Sequence, residues 1–201
     1  LREYVEAAKA SQLFTIGLSS HAPLPFECPW SMKEDDLDTY LSEIEMLRHE
    51  NKGIEIYKSL EIDFIPGVVS PYQFRDKLDY TIGSIHFVDK LPDGRPWQID
   101  GTQQIFDEGA EKIFHNNYKD LVCRYYELTE EMIFSGSPDI VGHLDKIKVQ
   151  NKDGRYFNES DAWYKDAVVH VLELIHKAGL IVEVNTRGIY RKKSTSTYPG
   201  E

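Results

Sequence analysis

The chain has 201 residues, 41% of them apolar, and a formal net charge of −11. That suffices for one large domain with a real core, and the acidic balance disfavours nucleic acid and anionic membranes as partners. Its two cysteines, Cys28 and Cys123, form no CxxC pair, and no run is long enough to span a bilayer, so a reducing, cytoplasmic setting is expected.

Residues 2–11 read as a helix with Tyr4, Val5 and Ala8 on one side. Leu13–Leu18 is an apolar run suited to a buried strand, and it leads into a polar loop with His21 and Pro23. Acidic residues at 34–36 suit a helix's first turn. The helix should run to Asn51 with Leu37, Leu41, Ile44 and Leu47 turned inward, and Gly53 stops it. Ile54–Phe64 reads as a strand with Glu61 near its end. Ser70-Pro71 starts a short helix to Lys77. Tyr80–Phe87 is a further strand, on which Ile82, Ser84 and His86 share a face.

Residues 88–101 are rich in Gly, Pro and Asp and read as a loop. Thr102–Gly109 and Glu111–Phe134 read as helices. Asp139–Gly142 is a short strand that delivers His143. Asn158 is placed to cap a helix to Ala178, stopped by Gly179, and Leu180–Asn185 is a last strand. This alternation, without repeats or linkers, argues one α/β domain over residues 1–201 with a mainly parallel sheet. In barrels of that class the chemistry lies at the C-terminal ends of the strands.

His21, Glu61, His86 and His143 all fall at those ends, and each is a good ligand for Zn, Mn or Fe ions. Any one of these histidines could instead be a half-buried, hydrogen-bonded side chain. Four together at strand ends favour a metal site. The helical His49, His115, His170 and His176 read as solvated or core-edge residues. Glu183 and Asn185 share a strand face, and a barrel-facing Glu needs a metal or an ion-pair partner. Arg187, just beyond, suits a phosphate oxygen, to which a guanidinium donates two parallel hydrogen bonds. Arg191, Lys192 and Lys193 read as a solvated basic run, which could also enrich phosphate locally. Trp97 and Asp100 of the 88–101 loop offer an aromatic face and an anion for a substrate's ring and amine; the equal alternative is a surface loop with a packed Trp.

Five stretches occur in order: Gly17-Leu18-Ser19-Ser20-His21-Ala22-Pro23-Leu24, Ser59-Leu60-Glu61-Ile62-Asp63, Gly83-Ser84-Ile85-His86-Phe87, Gly142-His143-Leu144-Asp145 and Glu183-Val184-Asn185-Thr186. Together they resemble histidinol-phosphate phosphatases of the polymerase-and-histidinol-phosphatase (PHP) superfamily, over nearly the whole chain. The resemblance implies a distorted (β/α)7 TIM-like barrel with a cluster of three divalent transition metals. It also implies hydrolysis of the phosphate monoester L-histidinol phosphate to L-histidinol and phosphate, in histidine biosynthesis. By position, His21 corresponds to a terminal ligand, Glu61 to a bridging carboxylate, and His86 and His143 to ligands of a further metal. Arg187 is the catalytic candidate, and Trp97, Asp100, Asn185 and Arg187 are the candidate substrate contacts. The family's opening His-x-His motif and closing Asp-Ala-His-like motif do not occur in these 201 residues. The expectation is therefore a barrel whose first and last strands lie outside the sequence. The competing readings are a PHP phosphoesterase for another monoester and a PHP scaffold without catalysis.

Overall fold

The computed structural model describes residues 1–192 and 196–200. Helix α1 (Arg2–Ala10) precedes strand β1 (Thr15–His21), helix α2 (Leu37–Glu50), strand β2 (Glu55–Asp63) and strand β3 (Tyr80–Ser84). A hairpin of β4 (Phe87–Lys90) and β5 (Pro96–Gln98) follows, then α3 (Gln103–Lys112), α4 (Tyr118–Glu131) and β6 (Ile140–Val141). Helix α5 (Ala162–Ala178), β7 (Ile181–Val182) and the one-turn α6 (Arg187–Tyr190) complete the order. Strands β1-β2-β3-β6-β7 form one sheet, parallel throughout. The α/β class with a mainly parallel sheet is thus as the alternation predicts.

Two apolar clusters hold the layers together. One packs Val5 and Ala8 of α1 and Leu37, Ile44 and Leu47 of α2 on Ile56, Leu60 and Ile62 of β2. The other joins the hairpin to α3, α4 and α5 through Trp97, Phe106, Leu121, Tyr125, Val171 and Ile175. Polar ties fix the strand edges. The Tyr40 hydroxyl donates to the Leu18 carbonyl at 2.8 Å and accepts from the Ser20 N–H at 3.1 Å. Asp139 accepts from both the N–H and the hydroxyl of Thr81. Among the described residues no helix is long and apolar enough to cross a membrane, and Cys28 and Cys123 are both free thiols.

Several boundaries differ from the sequence expectation. The strand over 80–87 stops at Ser84, where its pairing with β2 ends at Asp63. His86 then leaves the sheet, and its carbonyl accepts from the Ile99 N–H at 3.0 Å. The 88–101 loop is largely a hairpin, closed by the Leu91–Arg95 turn. The long helix over 111–134 is interrupted at His115 and Asn116, both at positive φ. Asn117 then caps α4 through its side chain, which accepts from the Asp120 N–H. Asn158 caps a tight turn at Ser160 rather than α5, which begins after Asp161.

Trp97 is 1% exposed. Its indole N–H donates to the Ile105 carbonyl at 2.8 Å, and its ring lies against Phe106 and Phe114. A Cβ at Gly109 of α3 would fall 2.0 Å from that ring, so α3 approaches the hairpin only with glycine there. Gly109→Ala is expected to destabilise the protein by about 1–3 kcal/mol through overpacking, read as a lower denaturant midpoint with an unchanged slope.

Candidate metal centre

The parallel register sets His21 beside Glu61 and Asp63 beside Ser84. These positions lie at the C-terminal ends of β1, β2 and β3. His86 comes from the turn after β3, and His143 follows β6. Residue type and register therefore bring three imidazoles and two carboxylates to one end of the sheet.

Asp63 has no exposed surface. One of its oxygens meets Nδ1 of His86 at 2.5 Å, and the other meets Nδ1 of His21 at 3.3 Å. Both rings are thereby oriented, leaving each Nε2 directed at Glu61: 3.5 Å from Oε2 for His21 and 3.9 Å from Oε1 for His86. Nε2 of His143 lies 2.9 Å from Glu61 Oε1. The Ser84 hydroxyl donates to the same oxygen at 2.9 Å.

Electrostatics follow from this packing. Burial alone would raise both carboxyls. For Glu61 the hydrogen bond and charge of His143, with His86 and His21, outweigh burial and hold it well below the usual carboxylate range. For Asp63 the opposing pull of His86 and His21 lowers it to about 2. Burial would lower His86, but Asp63 outweighs it and the imidazole is raised to about 9.

His143 carries a second signature. Its φ is +22°, a conformation that a non-glycine residue adopts at a cost of about 1–3 kcal/mol. The strain is held by Glu183, whose Oε2 accepts the His143 N–H at 2.8 Å, and by the Lys146 N–H, which donates to the His143 carbonyl. The His143 Nδ1 is buried without a hydrogen-bond partner among the described residues.

These groups fit a divalent cation. One donor atom from each of His21, Glu61 and His86 lies within 4.8 Å of the others. Ligands about 2.1 Å from a tetrahedral ion stand about 3.4 Å apart, comparable with the 2.9, 3.5 and 3.9 Å separations of the imidazoles from Glu61. Imidazole with carboxylate suits Zn, Mn or Fe. A carboxylate behind a ligand imidazole, as Asp63 stands behind His21 and His86, is also a usual way such rings are aimed.

The centre opens into a cavity of about 490 Å³ lined by His21, Glu61, His86 and His143, with Asp100, Lys146, Asn185, Arg187 and Arg191 around them. Asp100 lies 3.9 Å from His86 Nε2 and 3.6 Å from Lys146 Nζ. Asn185 is committed at both ends: its amide donates to Glu183 Oε1, and its oxygen accepts the Arg187 N–H.

The PHP domain family matches residues 1–187. This chain belongs to the PHP domain family. A Deinococcus radiodurans protein described as "Probable histidinol-phosphatase" is 32% identical over 207 residues, which cover 98% of this chain and 71% of that protein. HisK of Listeria monocytogenes superposes with a TM-score of 0.83 at 18% identity, over 98% of this chain and 79% of its own. The histidinol phosphate phosphatase of Lactococcus lactis, solved with Zn, L-histidinol and phosphate, has a TM-score of 0.64 at 20% identity, over 96% of this chain and 69% of its own. The two structural likenesses establish the shared fold, the distorted TIM-like barrel of PHP domains.

Within this PHP domain, His21, Glu61, His86 and His143 converge, and Asp100, Asn185 and Arg187 line the same cavity. Trp97 does not: its burial in the hairpin core removes it as a substrate face. Arg191 and Lys192 are exposed, as a solvated run would be, and Arg191 also lines the cavity; Lys193 lies outside the described residues. Sequence reasoning missed Asp63 and Lys146. The signal for Asp63 was available, since it stands two residues beyond Glu61 and shares its strand face. Asp63→Asn is expected to weaken divalent-metal affinity about 10–100-fold, measured by titrating chelator-stripped protein with Zn.

Proposed function

We propose that this PHP domain carries the active site of a metal-dependent phosphomonoester hydrolase, and that its substrate is L-histidinol phosphate. The observation that carries the reading is one cavity lined by two kinds of group. The His/Glu donor set lines it together with the cations Lys146, Arg187 and Arg191. A phosphate dianion needs cations on both sides to lose its charge repulsion towards an attacking oxygen. The Deinococcus relative and the Lactococcus complex with Zn, L-histidinol and phosphate support the same substrate.

His21, Glu61, His86 and His143 would hold the ions. The chemistry that divalent ions supply to such a reaction is neutralisation of the phosphoryl oxygens and a water acidic enough to attack near neutral pH. Three ions are proposed for the complete cluster. The chain's own groups do the rest. Asp63 fixes the imidazole edges of His21 and His86, and Ser84 fixes the Glu61 carboxylate. Arg187, whose backbone is anchored by Asn185, binds a phosphoryl oxygen as charge gathers there. Asp100 binds the substrate ammonium, a role suited to a carboxylate already beside His86 and Lys146.

Metal-loaded protein is expected to hydrolyse L-histidinol phosphate with a kcat/KM at least about tenfold above that for simple sugar or nucleotide monophosphates. Preference for another monoester in that panel would keep the phosphatase and reject the substrate. Absence of turnover of every monoester in protein that retains metal would reject both. Arg187→Ala should lower kcat/KM about 10²–10³-fold, with the melting temperature unchanged. Unaltered kinetics would remove Arg187 from the site.

A further inference from the structure

A second cavity, about 640 Å³, lies next to the first and shares Val149 with it as a wall. Its lining continues that of the first along the chain twice, from Asp100 to Gly101 and from Arg191 to Lys192. Three cations reach it, Lys152, Arg155 and Lys192, against a single acid, Asp153. On a chain of net charge −11 that local excess runs against the overall balance. None of the three cations has an ion-pair partner among the described residues, although the chain carries ion pairs on many other lysines and arginines. Arg155 instead lies over the Tyr156 ring, 5.3 Å from its centroid.

The cations also stand on a fixed scaffold. Asn151 is 3% exposed. Its side-chain oxygen accepts from the N–H groups of Tyr156 and Phe157, and its amide donates to the Phe157 carbonyl. Those three bonds close the loop that presents Lys152 and Arg155. Gln150 donates to the Gly101 carbonyl at 2.8 Å, tying the opposite wall to the same loop. Two exposed cations on a loop whose backbone a buried amide fixes, neither in an ion pair among the described residues, offer charge-assisted donors to an anion.

We propose that this cavity is a second phosphate subsite, contiguous with the metal centre and built by Lys152, Arg155 and Lys192. A phosphate group there has two sources: a second phosphate on the ester being hydrolysed, or free inorganic phosphate. The first source rests on the phosphomonoesterase reading with a bisphosphate ester in place of L-histidinol phosphate, which has a single phosphate; the second source rests on neither.

Calorimetric titration of the metal-loaded protein with inorganic phosphate at low salt tests the subsite directly. The expected result is one phosphate more per chain in the wild type than in the K152A/R155A variant. Both substituted residues are exposed, and neither lines the metal cavity. Equal stoichiometry in the two proteins, with affinities within about twofold, overturns the proposal; loss of the site or at least about tenfold weaker binding supports it. If the metal centre binds no phosphate, the wild type still takes up one and the variant none, so failure of the two readings can be told apart. Kinetics then assigns the source. A KM raised by the double variant for a bisphosphate ester, but not for phenyl phosphate, identifies the substrate's own second phosphate. Equal KM values with weaker inhibition by free phosphate identify the inorganic ion.

Discussion

The buried carboxylate of Asp63 is the constraint on which the rest of the site depends. An ionised group with no exposed surface costs several kcal/mol unless its oxygens are paired. Here the pairing comes from two imidazoles delivered by separate segments, His21 at the end of β1 and His86 beyond β3. Satisfying Asp63 therefore draws three neighbouring segments to one point. It also decides which ring nitrogens remain for other work. With each Nδ1 taken, both Nε2 atoms face Glu61. The aim of the donor set is a consequence of charge compensation beneath it.

That arrangement tolerates little slippage. In a parallel ladder a shift of one residue sends every side chain to the other face, and it would turn His21 away from Glu61. The floor is equally tight. A Cβ at Gly142 would lie 2.4 Å from the Ser84 hydroxyl, and that hydroxyl is the donor that fixes Glu61. The glycine preceding His143 thus makes room for the hydrogen bond on which the carboxylate rests. Immediately after it, the chain adopts the unfavourable φ of His143, stabilised by Glu183 from beyond β7. Glu183 acts on the site through a backbone N–H, which explains a carboxylate at a strand end without making it a ligand.

The sequence made the strand ends legible because apolar runs that finish in a His or Glu have no packing reason to do so. His21, Glu61, His86 and His143 stand out for that reason, and the structure brings them together. Asp63 is harder to read. It sits in the same run as Glu61, and nothing local says that its partners come from two other segments. Trp97 misleads in the opposite direction. A Gly- and Pro-rich stretch suggests an open loop, yet β4 and β5 pair and fold the indole inward against α3. The cationic wall is hidden for a geometric reason. Arg191 looks like the start of a solvated run until α6 places it one helical turn from Arg187, and the two then line the same cavity.

Net charge is a poor guide to what such a protein binds. At −11 the chain as a whole repels a phosphate ester, but that repulsion is screened over about a Debye length, roughly 8–10 Å at physiological salt. Within that range the anion meets Lys146, Arg187 and Arg191 in one cavity and Lys152, Arg155 and Lys192 in the next. The donor set in the first cavity is itself ligand-rich and anionic at Glu61, so without a cation it would oppose a phosphate. The same carboxylates that make the protein acidic are the ones that would hold metal, and a bound divalent ion inverts the local sign. Net acidity and affinity for a phosphate ester are then no contradiction. The carboxylates that give the chain its charge would gather the positive charge that such an anion requires.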